Sequence, residues 1–267
     1  MQPVTFVKLG GSLLTDKSAP FTARPAVIKQ MAQEIAQARD AMDTPLVVGH
    51  GSGSFGHVAA QRSGLAEGTE ASPIRTALSD IQQAAATLHH HVEQAFRTAG
   101  LSVFSYAPSS AFVTDGGTPV SVQAEPLHGA LRQGLLPLTY GDVTLDRSEG
   151  AAICSTETVF RALIDSLHDA GHPVQRVLWV GTTDGIYDDT GHSIPRLTPE
   201  SADQGLDAAT GSSGIDVTGG MAHRLETAMA LARRTVPSLI INGRPAGQVA
   251  AALRGDSVAG TRVDPLE

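Results

Sequence analysis

Two lysines lie beside a glycine pair near the start of a chain that contains only three lysines. Lys8 ends an apolar run and is followed by Gly10-Gly11, and Lys17 comes nine residues after Lys8. Glycine lets backbone amides approach a phosphate closely, and two ammonium groups beside such a loop neutralise a phosphoryl group during its transfer. The pattern indicates phosphoryl transfer, although a strand-ending turn with two surface lysines fits the same residues.

A second glycine-rich segment runs from His50 to His57 and contains Gly51, Gly53 and Gly56. This spacing is typical of dinucleotide-binding loops, but such loops need an acidic residue at the end of a second strand. Glu70 stands at the required distance without a strand to carry it. We therefore expect the segment to bind an isolated phosphate through amides at a helix N-terminus, with His57 in the first helical turn as a further donor. A structural role for His57 is the alternative.

Two further glycine turns occur in the second half of the chain. Gly181 to Asp188 follows an apolar run, and the carboxyl ends of strands are where α/β sheets bind ligands. Asp216 to Met221 leads into a helix that carries His223 and Arg224, which predicts another anion site. The four loops together suggest that two phosphorylated ligands meet at one edge of a sheet.

Several other functional patterns are absent or weak. The chain has no P-loop, no Gly-x-Ser-x-Gly elbow and no His-Glu-x-x-His motif. His89, His90 and His91 are consecutive, and consecutive helical residues diverge around the axis, so we expect a solvated run rather than a metal site. Cys154 has no clear partner and is predicted to be a core residue beside a strand.

Strands alternate with helices along the whole chain, which predicts an α/β fold with helices on both faces of one continuous, mostly parallel sheet. A boundary between two halves is expected near residue 175. Apolar runs predict the strands Val4–Leu9, Leu46–Val48, Ser102–Tyr106, Leu135–Tyr140, Arg176–Val180 and Ser238–Ile241. Helical spacing predicts the helices Pro25–Asp40, Pro73–Ala99, Leu127–Gln133, Glu157–Asp169, Gly220–Arg234 and Ala246–Leu253.

Composition excludes several classes of protein. The net charge of -8 argues against a nucleic-acid-binding protein, and a hydrophobic content of 41% excludes general disorder. The single cysteine cannot form an internal disulfide, and no signal peptide is recognisable, so we expect a reducing, cytoplasmic setting. The apolar runs are too short to cross a membrane.

Six motifs in this order resemble the amino acid kinase superfamily, and within it the isopentenyl phosphate kinase branch. The ending Ser54-Phe55-Gly56-His57 favours that branch over carbamate, acetylglutamate or uridylate kinases. The motifs cover nearly the whole chain: Lys8-Leu9-Gly10-Gly11-Ser12 with Lys17, His50 to His57, Tyr140-Gly141-Asp142-Val143, Thr183-Asp184-Gly185-Ile186-Tyr187, Asp216-Val217-Thr218-Gly219-Gly220-Met221 and Ile241-Asn242-Gly243.

The resemblance implies a homodimer with a three-layer αβα sandwich that uses ATP and Mg²⁺ to phosphorylate isopentenyl phosphate to isopentenyl diphosphate. Residues 1–175 would form the acceptor half and residues 176–267 the nucleotide half. Lys8, Lys17 and His57 would be catalytic. The acceptor would contact Gly10, Gly11, Gly51, Ser52, Gly56, His57, Gly141 and Asp142. ATP would contact Lys8, Gly10, Gly11, Ser12, Gly53, Glu157, Thr182, Asp184, Gly185, Tyr187, Gly219, Gly220 and Arg224.

Three positions depart from the family pattern. His223-Arg224 stands where lysine is common, and an arginine contacts phosphate with a different geometry. Ser155-Thr156-Glu157 replaces Ser-Gly-Asp, so the acid expected to orient the lysines has a longer side chain. Ser52 replaces a third glycine, which retains the amide and adds a hydroxyl.

Three other functions compete with this interpretation. The same phosphate-binding groups would serve a kinase for another small phosphate or phosphonate, such as fosfomycin. A non-catalytic nucleotide or metabolite sensor and a nicotinamide oxidoreductase are the others. Leu78, Ile81, Ala85 and Leu88 have the spacing of an apolar pocket for a five-carbon tail, and ordinary core packing gives the same spacing.

Overall fold

The computed structural model describes residues 2–42, 44–65, 73–201 and 220–266. Glu70 and the predicted turn from Asp216 to Gly219 lie outside the described residues. Strands and helices are numbered in chain order below. Within the described residues, no helix has the length and apolarity needed to cross a membrane.

The centre of the fold is an eight-stranded sheet with the order β10-β12-β11-β9-β1-β2-β6-β3. Neighbouring strands are parallel except for β11 and β12. The strands are β1 (Val4–Leu9), β2 (Leu46–His50), β3 (Val103–Ser105), β6 (Leu136–Tyr140), β9 (Val174–Gly181), β10 (Arg196–Leu197), β11 (Ser238–Asn242) and β12 (Thr261–Val263).

Helices cover both faces of this sheet, as the alternation along the chain predicts. They are α1 (Gly11–Leu14), α2 (Pro25–Asp40), α3 (Gly53–Ser63), α4 (Ile74–Thr98), α5 (Pro108–Ala111), α6 (Glu125–Arg132), α7 (Thr156–Asp169), α8 (Gly220–Ala232) and α9 (Gln248–Arg254). The six predicted strands and six predicted helices are all found, with ends that shift by at most two residues.

Two hydrophobic clusters lie on opposite sides of the sheet. In β1, Val7 and Leu9 join the cluster beneath α2, α3, α4 and α9, whereas Val4 and Phe6 join the cluster beneath α6, α7 and α8. Side chains alternate between the two faces of a strand, and every residue of β1 is buried. Layers of helix, sheet and helix therefore enclose β1, and the predicted fold class is confirmed.

The expectation of one continuous sheet is wrong for four strands, which form a smaller sheet with the order β5-β4-β7-β8. They are β4 (Phe112–Asp115), β5 (Thr118–Val122), β7 (Asp142–Asp146) and β8 (Gly150–Cys154). Glycines with positive φ make the connecting turns, at Gly116 and Gly117 between β4 and β5 and at Gly150 at the start of β8. β5, β7 and β8 each follow the preceding strand without an intervening helix, and β4 follows only the 4-residue helix α5, so the alternation of strands with long helices does not reveal them.

Candidate active site

Three glycine-rich loops meet at one edge of the large sheet, as predicted. Leu9, the last residue of β1, pairs with His50 at the end of β2 and with Val180 near the end of β9. The loops that follow these strands therefore emerge side by side, because parallel strands place their carboxyl ends at the same edge.

The first two loops touch through their backbones. A Cβ atom at Gly11 would lie 2.4 Å from the Gly53 nitrogen, and one at Gly51 would lie 2.8 Å from the Gly11 nitrogen. Gly53 also has a φ of 52°, which favours glycine. No residue with a side chain fits where the loops cross, so glycine at these positions allows the backbones of the two loops to touch.

Thr15 joins the same two loops through its side chain. Its hydroxyl donates a hydrogen bond to the Gly11 carbonyl oxygen at 2.8 Å and accepts one from the Ser54 amide at 3.0 Å. Thr15 is fully buried. Sequence reasoning missed this residue, because nothing in its spacing marks a threonine that serves two loops.

Lys8 and Glu157 form a buried ion pair at the loop edge, with 2.6 Å between Nζ and Oε1 and side chains 7% exposed. Glu157 lies in the first turn of α7, where Ser155 accepts a hydrogen bond from the Thr158 amide as the helix cap. The structure thus brings together the lysine and the acid that the resemblance predicts. The longer glutamate side chain reaches Lys8 from the helix terminus.

Burial and the opposite charge of the partner act in opposite directions on the pKa of each member of this pair. Burial is the largest influence on Lys8 and leaves its pKa below the ordinary value, with Glu157 raising it and Arg224 lowering it. Burial raises the pKa of Glu157, but the attraction of Lys8 and Arg224 outweighs it, so the pKa lies below the ordinary 4.5. Glu157 is therefore ionised at neutral pH.

Arg224 on α8 adds a second buried cation. Its guanidinium lies so close to the loop after β9 that a Cβ atom at Gly181 would be 2.8 Å from Nη1. Within the described residues, its buried Nε has no hydrogen-bond acceptor. Lys8, Arg224 and Glu157, which we call the charge cluster, carry two positive charges and one negative charge. A buried site with this imbalance and an unused donor suits an anion such as phosphate.

A cavity of about 320 Å³ opens beside the second glycine loop. Its polar wall contains Ser52, Gly56, His57, Gly141 and Asp142, all of which the resemblance assigns to the acceptor. Its apolar wall contains Ile81, Ala85 and Ile153. This cavity, which we call the acceptor pocket, combines hydrogen-bond donors with an apolar surface. His57 is the fifth residue of α3, not a first-turn residue as predicted, because the helix starts within the glycine loop.

The predicted tail-pocket residues divide between the pocket and the core. Ile81 and Ala85 line the acceptor pocket. Leu88 is fully buried in the core, and Leu78 packs against that core. Ile153 was missed because it belongs to the smaller sheet, which the sequence analysis did not predict.

Asp142 is a buried carboxylate at the edge of the pocket. It accepts hydrogen bonds from the amides of Ser109, at 3.1 Å, and Val143, at 2.9 Å. Burial raises its pKa despite these bonds. The backbone therefore holds this side chain in place at the pocket wall.

The loop after β9 is ordered by contacts with β11 and β12. The side-chain amide of Asn242 donates a hydrogen bond to the Asp184 carboxylate at 2.9 Å. The backbone amide of Ile186 donates one to Thr261 Oγ1 at 2.8 Å. The Tyr187 hydroxyl accepts a hydrogen bond from the Asp184 amide at 3.1 Å. Thr182 and Gly185 lie in this loop, and Gly220 begins α8. Gly219 falls outside the described residues.

Lys17, unlike the residues of the charge cluster, is not buried. It occupies the turn of a short hairpin closed by the Thr15–Ala23 bridge, and its side chain is exposed. Ser12 is half-buried in α1. The joint action of Lys8 and Lys17 on one phosphoryl group remains a prediction.

The sequence model of the amino acid kinase family matches residues 3–242. The chain belongs to the amino acid kinase family. Its resemblance to the isopentenyl phosphate kinase branch is also confirmed. A protein of Haloferax volcanii named isopentenyl phosphate kinase is 31% identical over 84% of this chain and 87% of its own length.

Other similar proteins match almost the full length of this chain. An isopentenyl phosphate kinase of Methanocaldococcus jannaschii is 26% identical over 98% of both chains. An X-ray structure of isopentenyl phosphate kinase superposes with a TM-score of 0.78, at 25% identity, over 97% of this chain and 99% of the other.

One prediction about the histidines of this kinase is wrong. His89 was expected to be solvated with His90 and His91, but His89 is buried, whereas the other two are exposed. His89 lies on the side of α4 that packs on the large sheet. There, His50 and Ser105 form hydrogen bonds with its two ring nitrogens. Within the described residues, no group of three or more His, Cys, Asp or Glu residues could hold a metal ion.

Replacing the carboxylate of the charge cluster is expected to destabilise the protein. Glu157→Gln leaves Lys8 and Arg224 buried without their shared negative charge, so the free energy of unfolding should fall by about 3 kcal/mol at neutral pH. Urea titration measures it, with the exposed Glu149→Gln as control. Because folding lowers the pKa of Glu157, its contribution is complete above 4.5 and is lost as pH falls below that value. Equal stability of the two variants at neutral pH would contradict this account.

A methyl group at the crossing of the two loops is expected to force them apart. Gly11→Ala should lower the free energy of unfolding by about 2 kcal/mol, because the new Cβ meets backbone that cannot rotate away. Gly129→Ala in α6 is the matched control, since only the Arg132 side chain lies near, at 3.7 Å. That control should be neutral or stabilising by up to about 1 kcal/mol. Unfolding curves for both variants test the expectation, which fails if Gly11→Ala behaves like the control.

Proposed function

We propose that this chain is an ATP-dependent kinase that converts isopentenyl phosphate into isopentenyl diphosphate. The proposal rests on one observation above all. A buried, positively charged cluster and a pocket with polar and apolar walls lie around the same glycine loops. The cluster suits a transferring phosphoryl group, and the pocket suits a phosphate that carries a short hydrocarbon tail.

The reaction needs no general base from the protein. A phosphate monoester has a second pKa of about 6, so its oxygen is already an anionic nucleophile at neutral pH. One acceptor oxygen forms a bond to the γ-phosphorus of ATP while the bond from that phosphorus to the bridging β,γ-oxygen breaks, and ADP leaves with the electron pair. The protein has to hold two anions in line and neutralise their charge.

The charge cluster supplies that neutralisation. Lys8 and Arg224 face charge that spreads over the equatorial oxygens in the transition state. Glu157 holds the Lys8 ammonium in place without cancelling the cluster's net positive charge. We assign Lys17, in the hairpin closed by the Thr15–Ala23 bridge, to the same transferring phosphoryl group. Gly11 and Ser12 contribute amides on the first loop, next to Gly10, whose own amide donates to the Val180 carbonyl oxygen at 2.8 Å.

The acceptor is placed in the pocket by its phosphate. His57 and the Ser52 amide bind the phosphate, and Gly141 and Asp142 belong to the same polar wall. Gly51 and Gly56 border this site, although their own amides donate to the Leu9 and Ser52 carbonyl oxygens. Ile81, Ala85 and Ile153 contact the hydrocarbon tail. Because the tail gains from apolar contact, acceptors that lack one should bind less tightly.

ATP is placed on the second half of the chain, residues 176–267, with the acceptor on residues 1–175. Thr182, Asp184, Gly185, Tyr187, Gly219 and Gly220 would surround the nucleotide, and Gly53 would face its phosphates. Arg224 supports this placement, because its buried Nε has no hydrogen-bond acceptor among the described residues and suits a polyphosphate. We propose that Mg²⁺ arrives with ATP and neutralises phosphate charge, since magnesium is usually bound through substrate phosphates. Family resemblance further leads us to propose a cytoplasmic homodimer.

Turnover with a series of acceptors tests the proposed substrate. We expect ADP release from MgATP to depend on isopentenyl phosphate and to be at least about tenfold slower with fosfomycin or small polar phosphate esters, because these leave the apolar wall uncovered. Removing the His57 donor in His57→Ala should lower kcat/KM for isopentenyl phosphate by about a hundredfold. The exposed His90→Ala is the control.

Each other outcome has a definite meaning. Activity with a different acceptor alone would retain the kinase and reject isopentenyl phosphate as its substrate. ATP binding without ADP release for any acceptor would favour a sensor. Full activity of His57→Ala would reject the assigned role of His57.

A further inference from the structure

Two buried histidines form a hydrogen-bonded chain behind the second glycine loop. His50 ends β2 and is fully buried, and His89 on α4 is 5% exposed. His50 Nε2 lies 3.1 Å from His89 Nδ1, and His89 Nε2 lies 2.7 Å from the Ser105 hydroxyl. At the other end, His50 Nδ1 lies 3.2 Å from the Gly51 carbonyl oxygen. The two imidazoles and the Ser105 hydroxyl have no role in the proposed phosphoryl transfer.

The hydrogen-bond partners of the two histidines determine which nitrogen of each ring carries the proton. The Gly51 carbonyl only accepts, so His50 carries its proton on Nδ1 and leaves Nε2 as an acceptor. His89 must then donate from Nδ1, which leaves its own Nε2 to accept from the Ser105 hydroxyl. Every hydrogen bond from Ser105 to Gly51 therefore runs in one direction, with both histidines neutral.

The surroundings keep both rings neutral. Burial lowers the pKa of His50 to about 3, with His89 and Lys8 adding to the effect and the Gly51 carbonyl opposing it. Burial and the nearby His90 lower the pKa of His89 to about 4. Tyr140 stacks on both rings, with centroids 5.7 Å from His50 and 4.2 Å from His89.

The hydrogen bonds that run from Ser105 to Gly51 determine the direction of one peptide group in the second glycine loop. Every described peptide is trans, and in a trans peptide the carbonyl and the following N–H point in opposite directions. With the Gly51 carbonyl directed to His50, the Ser52 N–H is directed away from the histidines. Ser52 lines the acceptor pocket together with His57. Among the described residues, no backbone carbonyl accepts from the Ser52 N–H.

We infer that Ser105, His89 and His50 are positioning residues that hold the Ser52 amide toward the phosphate of the acceptor, an inference that rests on the proposed function. Packing alone does not require two imidazoles here, because buried polar rings are costly unless every nitrogen is satisfied. The ordered donors give the chain a direction that an apolar core lacks. That direction ends at the carbonyl of the Gly51–Ser52 peptide, and Ser52 lines the acceptor pocket.

Two substitutions of His89 separate positioning from packing. His89→Leu fills the space but cannot donate to His50, so the KM for isopentenyl phosphate should rise about tenfold, while kcat and the KM for ATP stay within about twofold. His89→Asn retains an N–H in the Nδ1 position and should return that KM to within about threefold of wild type. His90→Leu, an exposed histidine one residue further along α4, should change nothing.

Kinetics alone can overturn the inference. It fails if His89→Leu matches His90→Leu, if His89→Asn is no better than His89→Leu, or if kcat and both KM values worsen together as in general misfolding. Ser105→Ala, at the exposed end of the chain, removes one hydroxyl and should fold even where His89→Leu does not. It should raise the KM for isopentenyl phosphate about threefold. An unchanged KM would contradict the positioning role of Ser105.

Nitrogen NMR of the wild-type protein gives a readout that does not need activity. Both buried histidines should show a protonated Nδ1 and an unprotonated Nε2 at neutral pH, and the opposite tautomer in either ring would overturn the inference. If the wild-type protein shows these tautomers but does not turn over isopentenyl phosphate, the proposed function is wrong and the hydrogen-bond directions between the histidines are still supported.

Discussion

The carboxylate of Glu157 is the negative charge that two buried cations share, and the organisation of the active-site edge depends on it. Lys8 comes from the central strand, Glu157 from the start of α7, and Arg224 from α8. Two cations without a carboxylate would be too costly to bury, and a second carboxylate would remove the attraction for phosphate. The cluster therefore reconciles a stable interior with a site that still attracts an anion.

Much of this arrangement could be predicted from the sequence because it follows from local patterns. Uninterrupted apolar runs mark the strands of a parallel sheet that is buried on both faces, and their order places Gly10, Gly51 and Gly181 at one edge. Paired lysines and the ending at His57 pointed to phosphate chemistry. The Lys8–Glu157 pair was available only through family resemblance, since the two residues lie 149 positions apart.

The unpredicted features depend on contacts between distant segments. The smaller sheet is built from short strands, and β5, β7 and β8 each follow the preceding strand without a helix between them, so neither long apolar runs nor alternation with helices marks it. Thr15 and His89 are polar residues whose burial is possible only because Ser54, His50 and Ser105 reach them in the folded chain. A polar residue on a helix indicates solvent unless its partners are known, and sequence spacing does not identify those partners.

A crystal structure with a non-hydrolysable ATP analogue and isopentenyl phosphate tests the central claim most directly. The account predicts the γ-phosphate within hydrogen-bonding distance of Lys8 Nζ and of the Arg224 guanidinium, and the acceptor phosphate against His57 and the Ser52 amide. A γ-phosphate bound away from the charge cluster, or an acceptor phosphate outside the pocket that contains His57, would contradict it.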